Sequence, residues 1–189
     1  MIVAILLAAG RSRRMGTQKL LLPVDGVPLL RKVATAFPQH LVDRLLIVVR
    51  PDAHDLRATF QSPHLQWVEN PMPESQMLDS IRYGLRAIPP ETKTLLITPA
   101  DMPALDAPLI SSMLSAWKTC RHSLLVPVYQ GRRGHPLILS ALHVPEIMSQ
   151  HDEVGLRGLL HAHSHDIYEW PSPSPAVLQD WDTSADLRH

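Results

Sequence analysis

Arg11, Arg13, Arg14 and Lys19 crowd together near the start of the chain, directly after the small-residue turn Ala8-Ala9-Gly10. Small residues let backbone N–H groups close on an anion, because no side chain blocks the approach. Guanidinium and ammonium groups then neutralise phosphate charge. The chemistry this combination supports is binding, and transfer, of a nucleotide phosphate. Backbone N–H groups from Ala9 to Arg13, Ser12 among them, are placed to hold the β- and γ-phosphates. The loop is not a Walker A loop: the spacing from Gly10 to Gly16 is wrong, and no Gly-Lys-Ser/Thr follows. Nor is it a Gly-x-Gly-x-x-Gly turn. The competing reading is a solvated basic turn after a strand.

A second reactive group stands far along the chain. Asp101 is bracketed by Pro99 and Pro103, which stiffen its loop. A carboxylate there suits Mg²⁺, a hard cation that takes one or two carboxylates plus phosphate oxygens. A helix cap is the alternative role for an aspartate, but Asp106 is better placed for that. His161, His163 and His165 alternate and invite a metal reading; with no cysteine or clustered carboxylate beside them, solvated histidines are expected. No Ser-His-Asp or Cys-His order points to covalent catalysis.

The elements that must position these groups alternate between apolar runs and amphipathic stretches, the βαβ pattern of a mostly parallel sheet. Strands are expected at Ile2–Ala8, Leu45–Val49, Leu65–Glu69, Thr94–Thr98, Ser123–Val128, Leu137–Leu139 and Asp166–Trp170. Helices are expected over Pro28–Phe37, from Asp52 to Phe60, from Ser75 through Ala87, from Asp106 to Trp117, and over His143–Ser149 and Leu156–Ala162. Met77, Ile81, Leu85 and Ile88 should form the apolar face of the third of these. The predicted fold is α/β: one three-layer α/β/α domain over 1–189, with a Rossmann-like, mostly parallel sheet of the nucleotide-diphospho-sugar transferase type. Ligands of such sheets sit outside the carboxyl ends of the strands. The basic loop and the Asp101 loop both follow strands, so they can share one crevice.

The segment from Ile5 to Pro23 resembles the signature loop of the MobA-like nucleotidyltransferases: apolar strand, small-residue turn, Arg-Met-Gly and a lysine. The likeness is greatest to their molybdenum cofactor cytidylyltransferase branch. Leu78-Asp79-Ser80-Ile81, Pro99-Ala100-Asp101-Met102-Pro103, Gly134-His135-Pro136, Asp152–Arg157 and Trp181-Asp182-Thr183 follow in family order and cover nearly the whole chain. The resemblance implies a nucleotide held by Leu7 to Arg14, Lys19 and Pro99 to Asp101, with Arg14 and Lys19 over the triphosphate and α-phosphate. It implies base and ribose contacts from Asn70, Ser75 and Ser80. Arg14, Lys19 and Asp101 become the catalytic set, and Asp182, with Asp180 close by, joins Asp101 in a Mg²⁺ site. Gly134, His135, Pro136 and Arg157 fall to the acceptor. The implied reaction moves CMP from CTP to a phosphate-bearing acceptor, molybdopterin carrying molybdenum, and releases pyrophosphate. A molybdoenzyme or its chaperone is the implied partner.

Rival readings are a GTP-dependent guanylyltransferase, a sugar- or polyol-phosphate cytidylyltransferase, and a non-catalytic cofactor-delivery protein. Guanylyltransferases of the family carry a second glycine where Ala9 stands and differ at Pro99-Ala100, so both positions favour cytosine. The reactive residues Arg14, Lys19 and Asp101 disfavour a non-catalytic role. At 189 residues and 45% hydrophobic, one sizeable core is expected. Eighteen basic and eighteen acidic residues cancel, which speaks against a nucleic-acid partner. Cys120 is the single cysteine, which excludes an intrachain disulfide and fits a reducing compartment. No signal-peptide pattern or bilayer-length apolar run is present. The expectation is a soluble, cytoplasmic protein.

Overall fold

The computed structural model describes residues 1–10, 19–72 and 76–181. In chain order its elements are β1 (Ile2–Leu7), a 3₁₀ turn (Lys19–Leu21), β2 (Pro23–Val24), β3 (Val27–Pro28), α1 (Leu29–Ala34), β4 (Arg44–Val49), α2 (His54–Ala58), β5 (Leu65–Glu69), α3 (Met77–Arg86), β6 (Thr94–Pro99) and α4 (Ala107–Thr119). Then come β7 (Leu124–Tyr129), β8 (Arg132–Arg133), β9 (Leu137–Ser140), α5 (Val144–Ser149), α6 (Leu156–Ala162) and β10 (Ile167–Pro171). The main sheet runs β10-β7-β9-β6-β1-β4-β5, with β8 on β7. β5, β4, β1 and β6 are mutually parallel, β9 is antiparallel to both neighbours, and β10 is parallel to β7. The expected three-layer, mostly parallel architecture is what forms.

Two faces of β1 explain the layers. Side chains alternate along a strand, so Ala4 and Leu6 enter a core with α1, α2 and α4, while Val3 and Ile5 enter a second core with α3, α5 and α6. Val3 to Leu6 are fully buried. Continuous burial explains the unbroken apolar run, since a strand covered on both faces has no side left to be polar. Each such Val, Leu or Ile contributes about 1.5–3 kcal/mol of transfer free energy. α3 lies close on this sheet at Gly84, where a Cβ would come within 2.9 Å of an Ile5 methyl.

Helix starts depart from expectation in two places. α2 is capped at Ala53 without a side-chain bond, and Asp52 turns instead to Arg50, accepting from Nε at 3.0 Å and Nη2 at 2.6 Å. α3 begins from Gln76, which forms a capping box with Asp79; Ser75 lies outside the described residues. Of the expected apolar face, Ile81 and Leu85 are buried and Ile88 is half-buried, whereas Met77 is 58% exposed and Leu78 is buried instead. Asp106 caps α4 as expected, accepting from Leu109 N at 2.8 Å.

The register sets the working edge. Leu7 pairs with Pro99 and with Val48, and Ile97 pairs with Leu137. The carboxyl ends of β1, β4 and β6 and the start of β9 therefore share one rim.

Candidate active site

Lys19 and Asp101 meet on that rim. Lys19 opens the 3₁₀ turn that brings the chain back over the sheet, anchored by buried Leu20 and by Leu29 N donating to Leu22 O at 2.9 Å. Its Nζ lies 3.0 Å from Asp101 Oδ2, the two side chains 10% and 26% exposed. Asp101 leaves β6 after Ala100 N has donated to Leu7 O at 3.1 Å, which extends the β1–β6 pairing into the loop. Its Oδ1 is buried and has no hydrogen-bond partner among the described residues. Burying an ion pair gains little stability, so this one is better understood as a prepared pair of opposite charges at the crevice floor.

The C-terminal segment crosses the same floor. Trp181 N donates to Asp101 O at 2.9 Å, and His135 N donates to Val177 O at 2.8 Å. The second contact explains Gly134: a Cβ there would lie 2.1 Å from the Val177 carbonyl oxygen. Gly134 N also donates to Pro127 O at 2.8 Å, and the His135–Pro136 peptide is cis. Burial holds the His135 imidazole below its ordinary pKa, against the pull of Asp101, Asp180 and the Ile97 backbone. The ring is therefore neutral at pH 7, and its Nδ1 is buried without a partner among the described residues.

Beside this floor opens a cleft of about 970 Å³. Leu7, Ile97, Pro99, Val126 and Leu137 form its base; Gln76, Met77, Leu78 and Ile81 of the α3 region form one wall; and Glu153 to Arg157 with Leu160, His161 and Ser164 form the other. Gly134, His135 and Arg133 close it. Arg82 braces the two walls: Nε donates to Ile147 O at 2.9 Å, Nη2 to Gln150 O at 2.8 Å, and Nη1 pairs with Asp152.

The residues expected to matter thus distribute unevenly. Leu7, Pro99, Gly134, His135 and Arg157 line the cleft, and Pro136 is buried behind it. Ala8, Ala9 and Ala100 are buried at the strand ends, with Ala8 N donating to Val48 O at 2.8 Å. Gly10 is exposed, and no other described residue lies within 4 Å of where a Cβ would stand. Asn70 and Ser80, expected on the base and ribose, are buried and turned to each other: Asn70 Nδ2 donates to Ser80 Oγ at 3.0 Å and Asn70 Oδ1 accepts from Met72 N at 3.0 Å. They tie the end of β5 to α3. Arg11, Ser12, Arg13, Arg14, Ser75 and Asp182 lie outside the described residues.

Two arrangements have no counterpart in the sequence reading. One is the crossing of 175–181 over Asp101 and Gly134, which local patterns do not encode. The other is a cluster of His143, Glu146 and His163 at the opposite edge of the sheet: of the three alternating histidines expected to be solvated, His163 instead meets a carboxylate, Glu146 Oε2 at 2.7 Å, and the local signal missed is the His-x-x-Glu spacing from 143 to 146. Among the described residues no helix is long and apolar enough to cross a membrane.

The chain resembles known proteins along nearly its whole length. The model of the MobA-like NTP transferase domain matches residues 4–167. A protein of Chloroflexus aggregans named probable molybdenum cofactor guanylyltransferase is 30% identical over 88% of this chain and 91% of its own. The molybdenum cofactor cytidylyltransferase of Escherichia coli is 24% identical over 97% and 92%. The crystal structure of Rv0371c from Mycobacterium tuberculosis superposes with a TM-score of 0.85 at 25% identity, covering 99% of this chain and 95% of that one. A complex of that protein with manganese aligns at 0.79 and 24%, covering 99% and 96%.

Proposed function

The chain belongs to the MobA-like NTP transferase domain family, and from that premise we propose that it transfers CMP from CTP to the phosphate of molybdopterin carrying molybdenum. The observation that carries this reading is the Lys19–Asp101 pair at 3.0 Å, joining groups that lie far apart in the sequence at one strand-end crevice. In the reaction the acceptor's phosphate oxygen attacks the α-phosphorus of CTP. The bond from that phosphorus to the bridging oxygen breaks, and pyrophosphate leaves with the electron pair. The attacking oxygen is already ionised, so positioning and charge stabilisation carry the rate rather than a strong base.

Each residue then has a task. The Ala9–Arg13 backbone and Arg14 hold the triphosphate, and Lys19 swings from Asp101 to the α-phosphate as negative charge grows there. Asp101, with Asp182 or Asp180, would hold Mg²⁺. The buried Oδ1 of Asp101, without a hydrogen-bond partner among the described residues, fits a hard cation, and the manganese complex of Rv0371c supports divalent metal use at this fold. When bound, Mg²⁺ supplies charge neutralisation across the phosphates. The long cleft takes the acceptor, with Arg157 and the Gly134-His135-Pro136 turn at its wall. Pro99, Ala100 and the floor beside them face the base, while Asn70 and Ser80 act from behind by fixing α3.

A GTP-dependent reaction is the second reading, favoured by the 30% identity to the Chloroflexus protein. Ala9 and Ala100, both buried at the strand ends, favour CTP. The test is pyrophosphate release with Mg²⁺ and molybdenum-loaded molybdopterin, CTP and GTP in parallel. CTP-dependent release that is lost in Lys19→Ala supports the proposal. Release with GTP alone replaces the nucleotide, and release undiminished in Lys19→Ala removes the lysine from the mechanism. A transferred molybdoenzyme-directed cofactor makes a molybdoenzyme or its chaperone the natural downstream partner.

A further inference from the structure

His143, Glu146 and His163 come from different parts of the chain and meet at the edge of the sheet opposite the Lys19–Asp101 pair. His143 closes the 3₁₀ turn after β9, Glu146 lies one helical turn on in α5, and His163 ends α6. The three-residue spacing of His143 and Glu146 puts them on one face. One ligand-type atom from each of the three lies within 4.8 Å of the others. We propose that this cluster is a binding site for a borderline divalent metal, Zn²⁺ being the natural occupant, separate from the nucleotide-site cation.

The donor set argues for that class. Two imidazoles and one carboxylate suit zinc and its neighbours, whereas Mg²⁺ and Ca²⁺ prefer oxygen alone. The surroundings are ordered as a metal site requires. Glu146 Oε2 lies 2.7 Å from His163 Nε2, and its other oxygen accepts from His151 Nε2 at 2.8 Å. His151 thereby orients the carboxylate from outside the three ligands. On the far side, His143 Nε2 lies 2.6 Å from Ser123 Oγ, and that hydroxyl is bonded to Asp166 Oδ2. A hydroxyl has one proton; given to the Asp166 carboxylate, it leaves Ser123 Oγ to accept from His143 Nε2–H. In that tautomer His143 Nδ1 carries the ring's lone pair. The rings of His143 and His163 stand edge to face, centroids 4.7 Å apart.

Ligands of a tetrahedral zinc stand roughly 3.3 Å apart, so closing the cluster asks only for side-chain adjustment. His163 must exchange its Glu146 hydrogen bond for the metal. A bound ion would fasten the end of α6 to α5. Because α6 supplies Leu156, Arg157 and Leu160 to the cleft wall, the site would stiffen that wall from its back without touching substrate.

The experiment titrates Zn²⁺ alone into untagged, chelator-stripped full-length protein against a chromogenic competitor, and records the Co²⁺ absorption spectrum. The expected result is one equivalent of tight Zn²⁺, a four-coordinate Co²⁺ spectrum, and a rise in melting temperature. His163→Ala and Glu146→Gln should each weaken Zn²⁺ binding by at least about tenfold. His161→Ala, exposed on the same helix, and Asp101→Asn should keep the equivalent. Absence of saturable Zn²⁺ binding in the wild type overturns the proposal, as does affinity unchanged in His163→Ala. The wild-type Co²⁺ spectrum decides even if a variant fails to fold: an octahedral, water-like spectrum overturns the site.

Discussion

The Lys19–Asp101 pair makes a prediction that separates stability from catalysis. At 3.0 Å and an effective dielectric constant near 20, the gross attraction is about 5.5 kcal/mol. Breaking a fully buried pair costs roughly 3–5 kcal/mol, because the survivor is left charged and unsolvated. Asp101 is 26% exposed, so water recovers part of that and each single change, Lys19→Met or Asp101→Asn, should cost about 2 kcal/mol. For a chain of this size the melting temperature should fall by about 4–8 °C. The double variant leaves no stranded charge and should return to within about 1 kcal/mol of wild type. The cycle subtracts whatever else each side chain touches. Turnover should behave oppositely: each single variant, and the double as well, should lose at least about 100-fold in kcat/KM. Denaturant melts and pyrophosphate release on the four proteins measure both. Purely additive stability changes would refute the pairing, and a double variant with wild-type turnover would refute its role in the reaction.

Other expectations rest on separate contacts. Gly134→Ala drives a Cβ to 2.1 Å from the Val177 carbonyl and should cost about 2 kcal/mol or more in thermal unfolding. Gly10→Ala meets nothing within 4 Å among the described residues; it should keep the melting temperature and reveal any effect only in nucleotide affinity. Arg82 holds the Asp152 carboxyl below the usual range, chiefly by a direct hydrogen bond. That contribution is present above the ordinary carboxylate pKa and fades as pH falls below about 4, so Asp152→Asn should lower stability slightly at pH 7, leave it unchanged in acid, and thereby flatten the acid limb of the stability curve. Raising salt should weaken triphosphate binding if Arg11, Arg13 and Arg14 act electrostatically; a dissociation constant indifferent to salt would count against them.

Much of the fold was readable from burial pattern alone. Ile2–Leu7, Arg44–Val49 and Thr94–Pro99 are apolar on both faces, and only a doubly covered parallel sheet asks for that. α6 ends where its pattern ends, and Asp106 caps where an aspartate before Ala-Pro should. Where several polar residues compete, local rules lose resolution. Asp52 bonds Arg50 rather than a helix start, and Gln76 caps α3 through its reciprocal bond with Asp79, while Met77 stands exposed. Of the candidate site, the meeting of Lys19 with Asp101 follows from strand order, because both follow parallel strands. The turning of Asn70 onto Ser80, the strap of 175–181 across Asp101, and the joining of His143 to His163 depend on long-range packing that no local spacing carries.

Calorimetric titration of Mg²⁺·CTP into wild-type and Asp101→Asn protein tests the central claim most directly. Saturable binding that requires Mg²⁺ and weakens at least about tenfold in the variant, a loss of about 1.4 kcal/mol, is the predicted result. Equal binding by both proteins, or binding indifferent to the metal, would contradict a crevice in which Asp101 and the cationic loop hold one triphosphate.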